Sequence, residues 1–288
     1  MRTEQEMLKL LINTARDEPR VRAALLVGSR ANPAAPRDEY QDYDVTYLVA
    51  DTAPFYNNLD WVRARFGEPA VAQLPESMAL ASLPPDADGH FTYLMLFPDG
   101  VRVDLSVYAL PYIDGGEPAI ILLDKDGCLP PLPAPTDAPW HVTPPTAQLF
   151  ADCCNEFWWC LNNVAKGVAR DELPYAMAML NGPVRDMLDQ MTAWHIGAAR
   201  DFAVSAGKLG KYFKKYLSAE LYALYAATYS DAAYEHVWAA VFTACALFRT
   251  LALELAARFG YTYNRAEDAS MTAYLTRVRE ASAEFYAE

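Results

Sequence analysis

The sequence predicts an α+β protein: an N-terminal domain with a mixed β-sheet and helices, residues 1–135, followed by an all-α helical-bundle domain, residues 136–288. Three observations predict it. Strand-type runs are confined to the first half of the chain. Apolar residues recur at helical spacing through the second half. Between them lies a proline-rich segment, "CLPPLPAPTDAPWHVTPP", Cys128 to Pro145, which allows neither helix continuation nor central-strand pairing and serves as a semi-rigid connector. At 288 residues, 53% hydrophobic and 21% charged, the chain exceeds the usual single domain and has the apolar material for a packed core in each half.

Thr3 and Glu6 form a capping-box pattern, after which Met7, Leu8, Leu11, Ile12 and Ala15 repeat at helical spacing, so a first helix is expected. Beyond Pro19, "VRAALLV" reads as a buried strand ending at Gly28, and "DYDVTYLVA" as a second. A helix is expected over Asn57 to Arg65. Then "HFTYLMLF" and "VRVDLSVY" make a hairpin through Pro98, Asp99 and Gly100. In the second arm Val101, Val103, Leu105 and Val107 alternate with Arg102, Asp104, Ser106 and Tyr108, which puts Asp104 on the polar face of a half-buried strand. Past the connector, helices are expected over Thr146 to Val164, Asp171 to His195, Ser218 to Tyr229, Asp231 to Phe259 and Glu267 to Tyr286, from helical spacing with Thr, Asp or Ser starts.

Composition narrows the function classes. A formal net charge of −13 would repel a phosphate backbone, so no nucleic-acid partner is expected, whereas a polycationic small molecule would be attracted. Acidity also serves solubility alone, so charge only breaks ties. The apolar run Val237 to Phe248 is read as a buried helix too short to cross a bilayer, and the N-terminus lacks the pattern of a signal peptide; no membrane association is expected, and the location is cytoplasmic. Five cysteines, Cys128, Cys153, Cys154, Cys160 and Cys245, with no C-x-x-C pair, fit reduced core thiols. The four histidines are too scattered for a zinc site, so any metal should prefer oxygen ligands. A monomer is expected.

The chemistry concentrates in "GSRANPAAPRDEYQDYDV", Gly28 to Val45. Asp42 and Asp44 are two apart on an expected strand, so their carboxylates leave the same face and repel each other, a conflict that a hard divalent cation such as Mg²⁺ removes. Gly28 and Ser29 offer a turn without bulky side chains, where triphosphate oxygens can meet backbone N–H groups, and Arg30 can neutralise phosphate charge. Each piece alone has a bland reading: a common turn, a solvated arginine, a polar strand face. Their order, with Asp104 as a third acid on a later strand, is far more specific.

These residues resemble the nucleotidyltransferase superfamily of DNA polymerase β type, in which Gly-Ser precedes Asp-x-Asp and a third carboxylate lies on a later strand. "GSRAN", "QDYDV", "DCCNEFWW", "VAKG", "RDE", "WHIG", "GKLGKYFKKYLS" and "TYSD" extend the likeness to the aminoglycoside 6-adenylyltransferases, the streptomycin-modifying resistance enzymes, over nearly the whole chain. The resemblance implies transfer of AMP from ATP to a hydroxyl of streptomycin with Mg²⁺ and release of pyrophosphate. It implies Gly28, Ser29 and Arg30 for triphosphate contact, Asp42 and Asp44 for metal, and Asp104 as metal ligand or general base. One departure is "NGP", Asn181 to Pro183, which interrupts an expected helix. A same-fold transferase acting on another acceptor, and a non-catalytic nucleotide-binding module, are the rival readings; the second predicts missing carboxylates, and all three are present.

Two further groups are candidates. Lys208 and Lys211, in "GKLGKYFKK", suit phosphate contact, against a bland reading as a solvated helix start. Asp152, Glu156 and Trp159 share one helical face and suit a guanidinium-bearing ligand, against a bland reading as a packed Trp with surface acids. Asp171, Glu172 and Asp186 are explained by helix capping.

Overall fold

The computed structural model describes residues 1–80, 89–111, 116–127 and 129–285, which divide into two compact units, Met1–Pro139 and Trp140–Glu288. The sequence boundary, after residue 135, falls in the same proline-rich segment. Cys128 and Tyr286, the expected end of the last helix, lie outside the described residues.

In the first unit the expected capping box opens α1 (Glu4–Asp17): Glu6 N–H donates to the Thr3 hydroxyl at 3.3 Å and Thr3 N–H to the Glu6 carboxylate at 2.8 Å. There follow β1 (Val21–Val27), the single turn α2 (Gly28–Ala31), β2 (Tyr43–Val49), α3 (Leu59–Phe66, capped by Asn58), β3 (Val71–Gln73), β4 (His90–Leu96), β5 (Arg102–Ala109) and β6 (Ala119–Asp124). They form one sheet in the order β3-β4-β5-β2-β1-β6, antiparallel except where β2 and β5 run parallel. The sequence expectations contained four of these strands. The edge strand β3 has only three residues, too few to show alternation, and β6 is an unbroken apolar run with no period of its own.

Side chains alternate across the sheet, and this alternation positions the site. Tyr43, Val45, Tyr47, Val103, Leu105 and Val107 face a core shared with Met7 and Leu11 of α1 and with Trp61, Val62 and Phe66 of α3. On the other face Ala23, Leu25, Leu48 and Ala119 pack under Leu129 and Leu132 of the proline-rich segment, which therefore covers part of the sheet rather than serving only as a tether. Asp44 and Asp104 belong to this second face.

The second unit contains α4 (Ala147–Ala169), α5 (Leu173–Met179), a π-helical turn (Leu180–Val184), α6 (Arg185–Ala199), the single turn α7 (Phe213–Tyr216), α8 (Ala219–Ala226), α9 (Tyr234–Phe259) and α10 (Arg265–Phe285). Thr146 and Ser218 cap α4 and α8 as expected. Asp171 and Asp231 do not cap: Asp171 takes a left-handed conformation before α5, and Asp231 accepts from Ala233 N–H in the turn leading into α9. The Asn181–Pro183 interruption is absorbed by the π turn, where the wider ring accommodates a residue that lacks an N–H and crowds the preceding turn, so α5 and α6 run on in sequence.

α9, at 26 residues, is long and apolar enough to cross a bilayer by length and composition, which corrects the expectation of a run too short to do so. Val237, Val241, Ala244, Phe248, Leu251 and Leu255 are buried among α4, α6 and α10, as befits the central helix of a bundle. Cys153, Cys154, Cys160 and Cys245 are free and buried in the same core; burial pushes the Cys160 thiol up to about 11 and those of Cys154 and Cys245 to about 12, so they stay protonated.

Candidate active site

β1 ends where the chain must turn against a neighbouring strand. Gly28 has φ +69°, and a Cβ there would stand 2.7 Å from Oδ2 of Asp44, so conformation and close approach both require glycine. Gly28 N–H donates to the Pro118 carbonyl at 3.1 Å, which ties the turn to the segment entering β6. The Ser29 hydroxyl accepts from the Gln41 amide at 3.2 Å, linking the turn to the residue before the first aspartate.

Arg30 is held by the protein's own groups. Only 6% exposed, its guanidinium donates from Nε to the Asp42 carbonyl at 2.9 Å and from Nη2 to the Gln41 carbonyl at 2.6 Å, lies 3.7 Å above the Tyr43 ring, and has Glu4 at 3.5 Å from Nη1. A guanidinium with all its nitrogens engaged braces the backbone that carries the acids. The reason is local: one turn of helix after Gly28 carries residue 30 back over the strand that follows.

The parallel register of β2 and β5 sets Asp44 directly opposite Asp104, and Asp42 lies two residues upstream on the same side. Asp42 immediately precedes the strand that was expected to include it. Burial raises the Asp44 carboxyl to about 6, helped by the charges of Asp104, Asp42 and Glu117. Asp42 is also raised, by burial first, with Arg102 acting against it. Arg102 stands in the cluster: Nε and Nη2 bind both oxygens of Asp104 at 2.8 and 2.7 Å, and Nη1 is 3.6 Å from Asp42 Oδ2. Among the described residues no three His, Cys, Asp or Glu donors already converge on a single metal-binding point. With Asp104 held fork-to-fork by Arg102, the trio shares a face without closing on one centre.

The sequence reading missed Arg102, Gln41 and Glu117. Arg102 had a signal, being two residues before Asp104 on the same alternating face. Glu117 had none, because only the pairing of β6 with β1 brings it near Asp44.

In the helical unit, Asp152, Glu156 and Trp159 lie on the outward side of α4, with Trp159 63% exposed while Trp158 is buried. Asp152 accepts from Gln148 at 2.7 Å and Glu156 from the Cys160 thiol at 3.2 Å. Lys208 begins a tight turn that holds exposed Leu209 in the left-handed region between two positive-φ glycines, and Lys211 follows. With Lys214 and Lys215, these are four of the seven lysines in the chain, all exposed, among Tyr212, Tyr216 and Tyr222.

A glycine turn pressed against one of three same-face carboxylates on a mixed sheet belongs to the nucleotidyl-transferring class of enzymes, and comparison with known proteins narrows it. The family model described as streptomycin adenylyltransferase matches residues 1–278. The chain is 38% identical to an aminoglycoside 6-adenylyltransferase of Campylobacter jejuni over 91% of both chains, and 37% identical to one of Bacillus subtilis (strain 168) over 91% of this chain and 93% of that one. It is 34% identical to a third from Staphylococcus aureus over 91% of this chain and 94% of that one. The crystal structure of an aminoglycoside 6-adenyltransferase from Bacillus subtilis, 33% identical, aligns over 97% of this chain and 99% of that one with a TM-score of 0.48. The chain belongs to the streptomycin adenylyltransferase family. It is an adenylyltransferase, and its reaction uses a nucleotide co-substrate.

Proposed function

We propose that this enzyme transfers AMP from ATP to a hydroxyl of an aminoglycoside, the 6-hydroxyl of streptomycin, with Mg²⁺ and release of pyrophosphate, and so confers resistance to the antibiotic. The observation that carries this reading is the register of β2 and β5, which pairs Asp44 with Asp104 beside a turn where Gly28 touches Asp44. The donor set fits a hard cation: hydrogen-bond-accepting oxygens only, with two of the carboxyls raised because burial and mutual repulsion penalise their charge. Asp42 and Asp44, with Asp104, would hold Mg²⁺, which when bound supplies charge neutralisation at the phosphate oxygens.

The protein's own residues do the rest. The Gly28–Ser29 turn brings backbone close to the triphosphate without side-chain obstruction, and Arg30 keeps the Asp42 backbone fixed. Asp104 takes the proton of the attacking hydroxyl as pyrophosphate departs in line. Within the helical unit, Lys208 and Lys211 suit a phosphate group, and Asp152, Glu156 and Trp159 suit the guanidinium groups of the antibiotic through charge-assisted hydrogen bonds and ring stacking. The relatives' names, aminoglycoside 6-adenylyltransferase, support the acceptor class.

The test is incubation with ATP, Mg²⁺ and streptomycin, spectinomycin or kanamycin in parallel, followed by mass detection. A product heavier by one adenylyl group only from streptomycin supports the reading. Modification of another acceptor alone replaces the substrate, and none with any acceptor overturns the assignment. An unchanged acidic limb in the pH-rate profile of Asp104→Asn would remove the proton-accepting role and leave Asp104 as a metal ligand only.

A further inference from the structure

Arg102 is a cation built into the acid cluster. It lies on the same strand face as Asp104, two residues away, and its planar fork covers both oxygens of that carboxylate at 2.8 and 2.7 Å. The third nitrogen faces Asp42 at 3.6 Å. One guanidinium thus spans two of the three acids proposed to hold Mg²⁺, from the first strand position after the hairpin turn. Its side chain is 46% exposed, against 18% for Asp104, so the arginine is the partner that can move.

A bidentate guanidinium and a divalent cation compete for the same carboxylate lone pairs. While Arg102 stays on Asp104, it occupies one lone pair of each oxygen and sets a positive charge against both a metal ion and a proton there. When Arg102 leaves, it carries a charge and five N–H donors that need another anion, and a triphosphate offers matching oxygens. We infer that Arg102 is a positioning residue that couples the two co-substrate components: it opposes binding of the divalent cation alone and moves onto the nucleotide phosphates when the nucleotide arrives with it. Metal and nucleotide therefore bind cooperatively, and the acids are protected from stray cations. This inference rests on the reading of Asp42, Asp44 and Asp104 as the metal seat.

The test measures Mn²⁺ binding by electron paramagnetic resonance, with and without a non-hydrolysable ATP analogue, in wild type, Arg102→Met, Arg102→Lys and Asp44→Asn. Arg102→Met should bind Mn²⁺ alone about tenfold more tightly than wild type, the scale of a lost charge-assisted pair. The analogue should tighten Mn²⁺ binding strongly in wild type and little in Arg102→Met. Arg102→Lys, which keeps the charge without the fork, should fall between. Equal affinities for Mn²⁺ alone in wild type and Arg102→Met, with binding still lost in Asp44→Asn, would overturn the coupling and leave the metal seat standing. Mn²⁺ binding that survives intact in Asp44→Asn would overturn both. A thermal melt of Arg102→Met within a few degrees of wild type shows that the fold is kept, as expected for a half-exposed side chain.

Discussion

At the scale of single residues, the acids work against the fold they sit in. The Asp44 carboxyl is raised to about 6 in the folded protein, above the unfolded value near 3.8, so the folded state binds its proton more strongly. Ionised Asp44 therefore costs stability at neutral pH, and the cost fades as pH falls through 6 towards 4. Asp44→Asn should abolish AMP transfer while stabilising the protein by about 1–3 kcal/mol at pH 7, read as a raised melting temperature whose gap over wild type closes by about pH 4. A melting temperature equal to or below that of wild type at pH 7 would show that burial and repulsion do not dominate there. Arg30 makes the opposite case. Arg30→Met strips donors from the Gln41 and Asp42 carbonyls, so it should lower kcat by tenfold or more and cost about 2–3 kcal/mol in stability while the KM for ATP hardly moves. A large rise in that KM with kcat preserved would restore Arg30 to the phosphates. Gly28→Ala, placing a methyl group 2.7 Å from Asp44 Oδ2 at φ +69°, should leave little or no activity.

At the scale of elements, the end of α1, the turn before β1 and α3 are joined by one carboxylate. Glu18, 3% exposed, pairs with Arg20 and accepts the Trp61 indole N–H at 2.9 Å, and these partners, Arg20 foremost, hold its carboxyl down at about 2 against an ordinary 4.5. A lowered folded value gives stability above the unfolded pKa that is lost as pH falls from about 4.5 to about 2. Glu18→Gln should cost about 2–3 kcal/mol at pH 7 by denaturant unfolding, and its difference from wild type should shrink across that window; a constant difference would mean the effect is packing alone. The elements also show what the sequence could and could not reveal. Thr3 and Glu6, the alternation from Val101 to Tyr108, and the Thr146 and Ser218 caps were legible because each is a local physical signal read within a few residues. The shared face of Asp44 and Asp104 was legible from the same period of two, whereas Asp42 stands just before the strand expected to carry it. The bonds of Arg30 to the Gln41 and Asp42 carbonyls were not legible, because the direction of its side chain depends on the turn at Gly28 and not on its own residue type. β3, β6 and the approach of Glu117 to Asp44 depend on which strands pair, and no local pattern encodes that.

At the scale of the whole molecule, charge is distributed unevenly. The chain carries a net −13, yet four of its seven lysines fall within eight residues of the helical unit, so the remaining surface is more acidic than the total implies. A protein of this charge presents a long-range field that draws cations inward and slows anions, except where a local basic patch reverses it. The proposed acceptor is a cation and the proposed donor an anion, so one enzyme should respond to salt in opposite senses for its two substrates. Raising ionic strength from about 0.01 M to 0.15 M shortens the screening length from about 30 Å to about 8 Å. Over that range kcat/KM for streptomycin should fall several-fold, mostly through KM, while kcat at saturating antibiotic stays level, because screening acts on encounter and not on the chemical step of the bound complex. The KM for ATP should stay flat or decrease. A fall of both kcat/KM values together would indicate a general salt effect on the fold, which the melting temperature at the two ionic strengths would reveal. A flat response for streptomycin, with the fold intact, would show that the acidity of this chain serves solubility alone and takes no part in gathering its substrate.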